Sequence, residues 1–316
     1  MALGPARALY ARTPGELNRR SWWAVARGLG AAAIDMDVAM RSAGVAYYAF
    51  LSIFPAVATA ILIFGLVTDI TFVEGRYADV LALLPDQAAS LLNDQIVTLL
   101  NNSNAELGVG LLISVSVALW TGTRGANALI YAISCAHREE RLRSPVRSLL
   151  MSLAVNAGIF LVILVSLFGL AVVPTLARAL PIDEFAEILA LWLRWPVLVM
   201  IIFTAVCVLY RVAPNREPPR WRWIMPGALV ATIAWLAASL LFSVYVDNFA
   251  NYNKTFGAIA APVILLLWLY WSTLIFILGA TLNAELELQT RKDTTTGPPR
   301  PIGQRGAYVA DNVATR

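Results

Sequence analysis

Five polar residues stand in, or at the ends of, long apolar stretches: Arg124, Asn127, Asn156, Asn283 and Glu285. A guanidinium is permanently charged and offers five N–H donors, a fork that suits a carboxylate or a phosphate. Inside a bilayer it costs at least ~2.5–3.5 kcal/mol on insertion scales, so it must face protein, water or an anion. The chemistry such a set can perform is anion binding. Two readings stay open for Arg124: contact with a ligand, or a structural lock on Glu285 or a helix carbonyl. Lys254 and Tyr252, in the polar link 247–254, form a second candidate contact for a phosphate headgroup, although Lys254 also fits an ordinary loop charge. Catalysis is not expected. The chain has one histidine, His137, too few for a histidine-rich metal site, and no Gly-x-Ser-x-Gly, His-Glu-x-x-His or phosphate loop. No metal, no cofactor and no nucleic-acid partner are expected; the expected partners are membrane lipids and an anionic amphipathic substrate. The sequence carries no signal for oligomeric state.

The elements that position these residues are membrane helices. The 316 residues are 59% apolar and 14% charged, with a mean hydropathy of +0.68, far from the balance of soluble domains. Six apolar stretches are long enough to cross a bilayer: about 43–68, 108–134, 149–173, 195–212, 224–246 and 257–282. The fold class is an all-α membrane protein, with a membrane domain over 43–287. Arg124 lies about ten residues from the end of the second span, roughly 15 Å at the helical rise. Ser114, Ala118, Gly122 and Ala126 make a small-residue face on that span, which lets another helix approach closely. Pro55 and Pro262 mark candidate kinks. Residues 84–100 follow a near-3.6 apolar period and predict an amphipathic extracytoplasmic helix, capping the bundle or lying on the outer membrane face. A second amphipathic segment is expected from Asp183 to Trp192, separate from the fourth span. The arm 1–42 places Trp22, Trp23, Val25 and Leu29 beside Arg19, Arg20 and Arg27, a pattern for an interfacial helix. The Pro-, Gly- and Thr-containing tail, 288–316, is expected to be disordered. Trp192, Trp195, Trp221, Trp223 and Tyr210 fall at span ends, where aromatic belts are expected.

Basic residues predict the orientation. Of 24 Lys and Arg, 19 fall in the arm, the 135–148 and 211–223 loops and the tail; four fall on the alternate side, and Arg124 is the remainder. That asymmetry puts both termini in the cytoplasm.

Motifs across the membrane domain carry a family resemblance. Ala49-Phe-Leu-Ser-Ile-Phe-Pro55, Trp120-Thr-Gly-Thr-Arg124 through Tyr131, Tyr245-Val-Asp-Asn-Phe-Ala-Asn-Tyr-Asn-Lys-Thr-Phe-Gly257, Trp268-Leu-Tyr-Trp271 and Leu278-Gly-Ala-Thr-Leu-Asn-Ala-Glu285 together resemble the YihY/BrkB family of bacterial inner-membrane proteins. The resemblance covers roughly 35–290. It implies six spans, an inner-membrane location and a transport-like role toward envelope lipids. It also brings an old ribonuclease label, which a chain with one histidine and no soluble domain does not fit. The alternative is a structural or partner-binding membrane protein.

Overall fold

A computed structural model describes residues 10–67, 104–139, 143–179, 184–249 and 260–313. The predicted helix at 84–100, and Tyr252 and Lys254, lie outside the described residues. Long helices dominate: α1 Arg19–Ala33, α2 Met36–Val67, α3 Asn104–Ala136, α4 Pro145–Ala179, α5 Glu184–Val212, α6 Trp221–Phe249, α7 Ala260–Glu287 and a short α8 Tyr308–Asp311. Six of these, α2 to α7, are long and apolar enough to span a membrane. Among the described residues there is no strand, only an isolated bridge between Pro219 and Thr295.

The helices extend past the predicted spans, for local reasons. At the start of α1, the Asn18 side chain accepts the Ser21 N–H at 2.8 Å, satisfying one orphan donor of the first turn. The third span was predicted to end near residue 173, yet α4 runs on through Pro174 to Ala179. The amphipathic segment at 183–192 is not separate: α5 is continuous from Glu184, through Pro196, to Val212. Prolines inside membrane helices are tolerated when the freed carbonyl finds another partner. Pro55 likewise lies within continuous α2. Pro262 lies in α7, two residues after Ala260, the first described residue of that helix.

The chain divides into two compact units, Met1–Tyr47 with Gly125–Arg316, and Tyr48–Arg124. In the smaller unit, Thr59 Oγ1 donates to the Pro55 carbonyl at 2.7 Å and lies 3.2 Å from Ser114 Oγ of α3. Phe50 and Phe54 meet edge to face, 5.3 Å apart. In the larger unit, α6 and α7 form the most extensive pairing, with α4 against α5, α5 against α6, and α1 against α7. Its core gathers Ala126, Ile130 and Ile133 of α3 with Val206 and Tyr210 of α5, Ala228 and Ala231 of α6 and Ala280 of α7. The small-residue face is therefore a packing face, buried at Ser114 within one unit and at Ala126 within the other.

Two aromatics expected in an interfacial belt sit in the core instead. Tyr210 and Trp223 are 1% and 2% exposed, whereas Trp192, Trp195 and Trp221 are exposed. Tyr210 can be buried because its hydroxyl donates to the Phe276 carbonyl at 2.6 Å, so no polar atom is stranded.

Residues 288–313 of the tail are also ordered where disorder was expected. Arg305, 5% exposed, donates to the carbonyls of Arg291, Lys292, Arg300 and Ala310. Asp311 accepts the N–H groups of Gly303, Arg305 and Gly306. Composition missed this because the tail's order comes from polar side chains satisfying its own turns and from docking on the bundle. Thr290 donates to the Ala11 carbonyl at 2.8 Å, Thr296 N–H to Pro218 at 2.9 Å, and Arg220 Nε to Thr295 at 3.0 Å. For convenience, the end of the larger unit built from this tail, the arm and the 213–220 loop is termed the basic end.

Candidate functional site

Arg124 is exposed on α3, twelve residues before Ala136, about 18 Å along the helix at 1.5 Å per residue. Its guanidinium carbon lies 5.8 Å from the centre of the Trp120 ring, a cation–π distance. Among the described residues no carboxylate lies within ion-pair distance of it.

The other polar candidates do not form one cluster. Asn127 is held to α4, its Oδ1 accepting from Ser148 at 3.1 Å and from Ser152 at 3.5 Å. Asn156 is half-buried on α4. Asn283, 1% exposed, accepts the Gly227 N–H at 2.8 Å and donates to the Ile224 carbonyl at 2.9 Å. That side chain bonds the α6 backbone on both sides of Pro226, where the ladder is interrupted. Glu285 is engaged by Arg138, at 2.7 Å, and packs against Gly28 of α1, where a Cβ would fall 2.8 Å from its carboxyl.

The basic end holds a further set that spacing alone does not mark. Arg216 and Glu287 form a two-pronged ion pair at 2.6 and 3.2 Å, with side chains 0% and 1% exposed. Thr294 donates to Glu287 Oε2 at 2.7 Å, and Arg216 Nε has no partner among the described residues. His137 is buried beside them. Its Nδ1 lies 3.0 Å from the Ile133 carbonyl; a carbonyl only accepts, so that nitrogen carries the hydrogen. Burial, and then the Arg216 charge, push its pKa down to about 4 against the opposing pull of Glu287, so the ring is neutral at pH 7. Nearby, Arg143 donates to the carbonyls of Val212, Ala213 and Pro214, closing the α5 C-terminus with a cation. The available signal was opposite charges at two predicted span ends, which fits many pairings until the helices are placed. Among the described residues no three His, Cys, Asp or Glu side chains gather as metal ligands.

Residues 31–302 match the virulence factor BrkB family. The chain belongs to that family. A ribonuclease-like protein of Bacillus subtilis, YfkH, is 34% identical over 259 residues, covering 78% of this chain and 89% of its own. A membrane protein of Idiomarina loihiensis, of the group UPF0761, is 32% identical over 105 residues, 33% of this chain and 37% of its own. A UPF0761 membrane protein of Xanthomonas oryzae is 39% identical over 84 residues, 27% and 20% of the two chains. No solved structure matches. The protein is thus a multi-pass membrane protein of the BrkB type.

Proposed function

We propose that this BrkB-family protein resides in the bacterial inner membrane, with its basic end in the cytoplasm, and binds or moves an anionic amphipathic molecule of the envelope. Arg124 holds the headgroup of that molecule. The observation that carries the reading is the exposed position of Arg124 in mid-span, against an aromatic ring and, among the described residues, no carboxylate. Tyr252 and Lys254 are the second headgroup contact proposed. A non-enzymatic role is part of the proposal, although the YfkH name points to ribonuclease chemistry. It is supported by the single histidine, whose ring is buried, tied to a carbonyl and, with its pKa pushed down to about 4, too weakly basic to take up a proton efficiently near pH 7.

A second reading, a scaffold without cargo, draws on Asn127, Asn283 and Glu285. Each is engaged by another helix or by the loop after α3, so these three are locks rather than ligands. Arg124→Leu, Arg124→Gln and Arg124→Lys separate the readings. Under the proposal, Leu and Gln lose co-purifying anionic lipid, measured by mass spectrometry, while thermal unfolding stays cooperative; Lys keeps part of the lipid. If lipid content never changes in the variants that fold, Arg124 is a lock and the scaffold reading stands.

A further inference from the structure

Helix α1 has two unlike faces. Its inner face buries Ser21 and packs Val25 and Leu29 with Trp223, Leu282 and Leu286. On the opposite face Trp23 is 68% exposed. Arg19 and Arg27 lie four residues before and after it and Arg20 three before, all exposed, so all three arginines neighbour the indole on the helix surface. Between Leu17 and Ile34 the chain has no acidic residue. No described side chain neutralises this face: the arginines of α1 enter none of the ion pairs among the described residues.

We infer that the Arg19–Arg20–Trp23–Arg27 face of α1 is a docking surface for anionic lipid headgroups. The anchoring of α1 decides between lipid and a soluble polyanion. Its inner face rests on the last turns of one span and the first of another. Its last residue, Ala33, is separated from the span that begins at Met36 by only Ile34 and Asp35. Ile34 and Met36 are 88% and 72% exposed, apolar surface that belongs in acyl chains. A helix fixed in this way cannot leave the membrane boundary, where an amphipathic tryptophan and arginines are both favoured. This surface does not include Arg124 and stands whether or not that residue holds a ligand.

Gly30 shares this face and has open space around a built Cβ, as does Gly15 in the arm. Each can therefore carry a spin label through Gly30→Cys or Gly15→Cys, on a background with Cys135→Ser and Cys207→Ser. The full chain is placed in nanodiscs of phosphatidylglycerol with phosphatidylethanolamine, or of phosphatidylcholine alone. Collisions with water-soluble nickel chelate and with oxygen are then measured. In the anionic discs the label at 30 should be several-fold less accessible to nickel than the label at 15. That protection should weaken in phosphatidylcholine and in the triple variant Arg19→Gln, Arg20→Gln, Arg27→Gln. Equal nickel access at 15 and 30 in every bilayer overturns the inference. Equal protection in both bilayers overturns the headgroup part of it. Protection that appears only on adding an oligonucleotide assigns the face to nucleic acid and overturns it as well.

Discussion

Arg216, Glu287 and His137 show how buried charge is handled when it cannot be avoided. Glu287 is satisfied by two Arg216 nitrogens and the Thr294 hydroxyl, the condition under which a buried pair persists. Removing one partner leaves the other charge uncompensated, at a cost of about 3–5 kcal/mol. Glu287→Leu should therefore lower the thermal midpoint in micelles sharply, and the double variant with Arg216→Met should recover much of the loss. If the double variant is worse than the single, the ion pair is not the cause. His137 links the same cluster to pH. The unfolded chain takes a proton on this ring below about pH 6.5, and the folded protein only below about 4. Between those values the unfolded state holds the extra proton, so stability falls as pH drops through that window and is fully present above it. At 1.36 kcal/mol per unit, the loss approaches about 3 kcal/mol. His137→Asn, which keeps a donor for the Ile133 carbonyl, should flatten the unfolding midpoint between pH 7 and 4.

At the scale of elements, the α6–α7 seam depends on two glycines facing each other. A Cβ on Gly279 would fall 2.6 Å from the Ala231 Cβ and 2.8 Å from the Gly227 carbonyl, and one on Gly227 would fall 2.5 Å from Asn283. Close backbone approach is a recurring device for joining helices in lipid, where no hydrophobic effect drives them together. Gly279→Ala should force the helices apart and destabilise by about 1–3 kcal/mol, whereas Gly44→Ala, which has open space, should not. Denaturation in micelles compares the two directly. The tail is the second such element. Arg291, Lys292 and Arg305 are trypsin sites, but Arg305 is buried and the surrounding backbone is bonded to the arm and the 213–220 loop. Limited trypsinolysis should spare this segment in the wild type and cut it readily in Arg305→Ala, which lacks the side chain that gathers four carbonyls.

For the whole molecule, the proposed orientation has a direct test. In spheroplasts of a chain lacking Cys135 and Cys207, an impermeant thiol reagent should label Asp94→Cys and spare Ile302→Cys, an exposed tail position. The reverse pattern would invert the arrangement.

Six spans and an all-α class were legible in the sequence because hydropathy and length are local properties, and a bilayer forces each apolar segment to satisfy its own backbone. The small-residue face of α3 was legible for the same reason: periodicity on one helix suffices to show it. Helix ends were less so, since Pro174 and Pro196, which look like breaks, both lie within continuous helices. The partners of Asn283, Glu285 and Glu287 were not legible at all. A lone Glu285 at a span end fits Arg124 as readily as Arg138, and only the placement of α1, α3 and α7 within the larger unit gives it Arg138 and Gly28. Trp223 and Tyr210 look like belt residues by position, yet tertiary packing buries them because Tyr210 finds the Phe276 carbonyl and Trp223 lies beneath α1. The order of the tail belongs to the same class. Its composition is that of a free segment, and what holds it is a set of hydrogen bonds within its own turns and to residues more than seventy positions away in the chain.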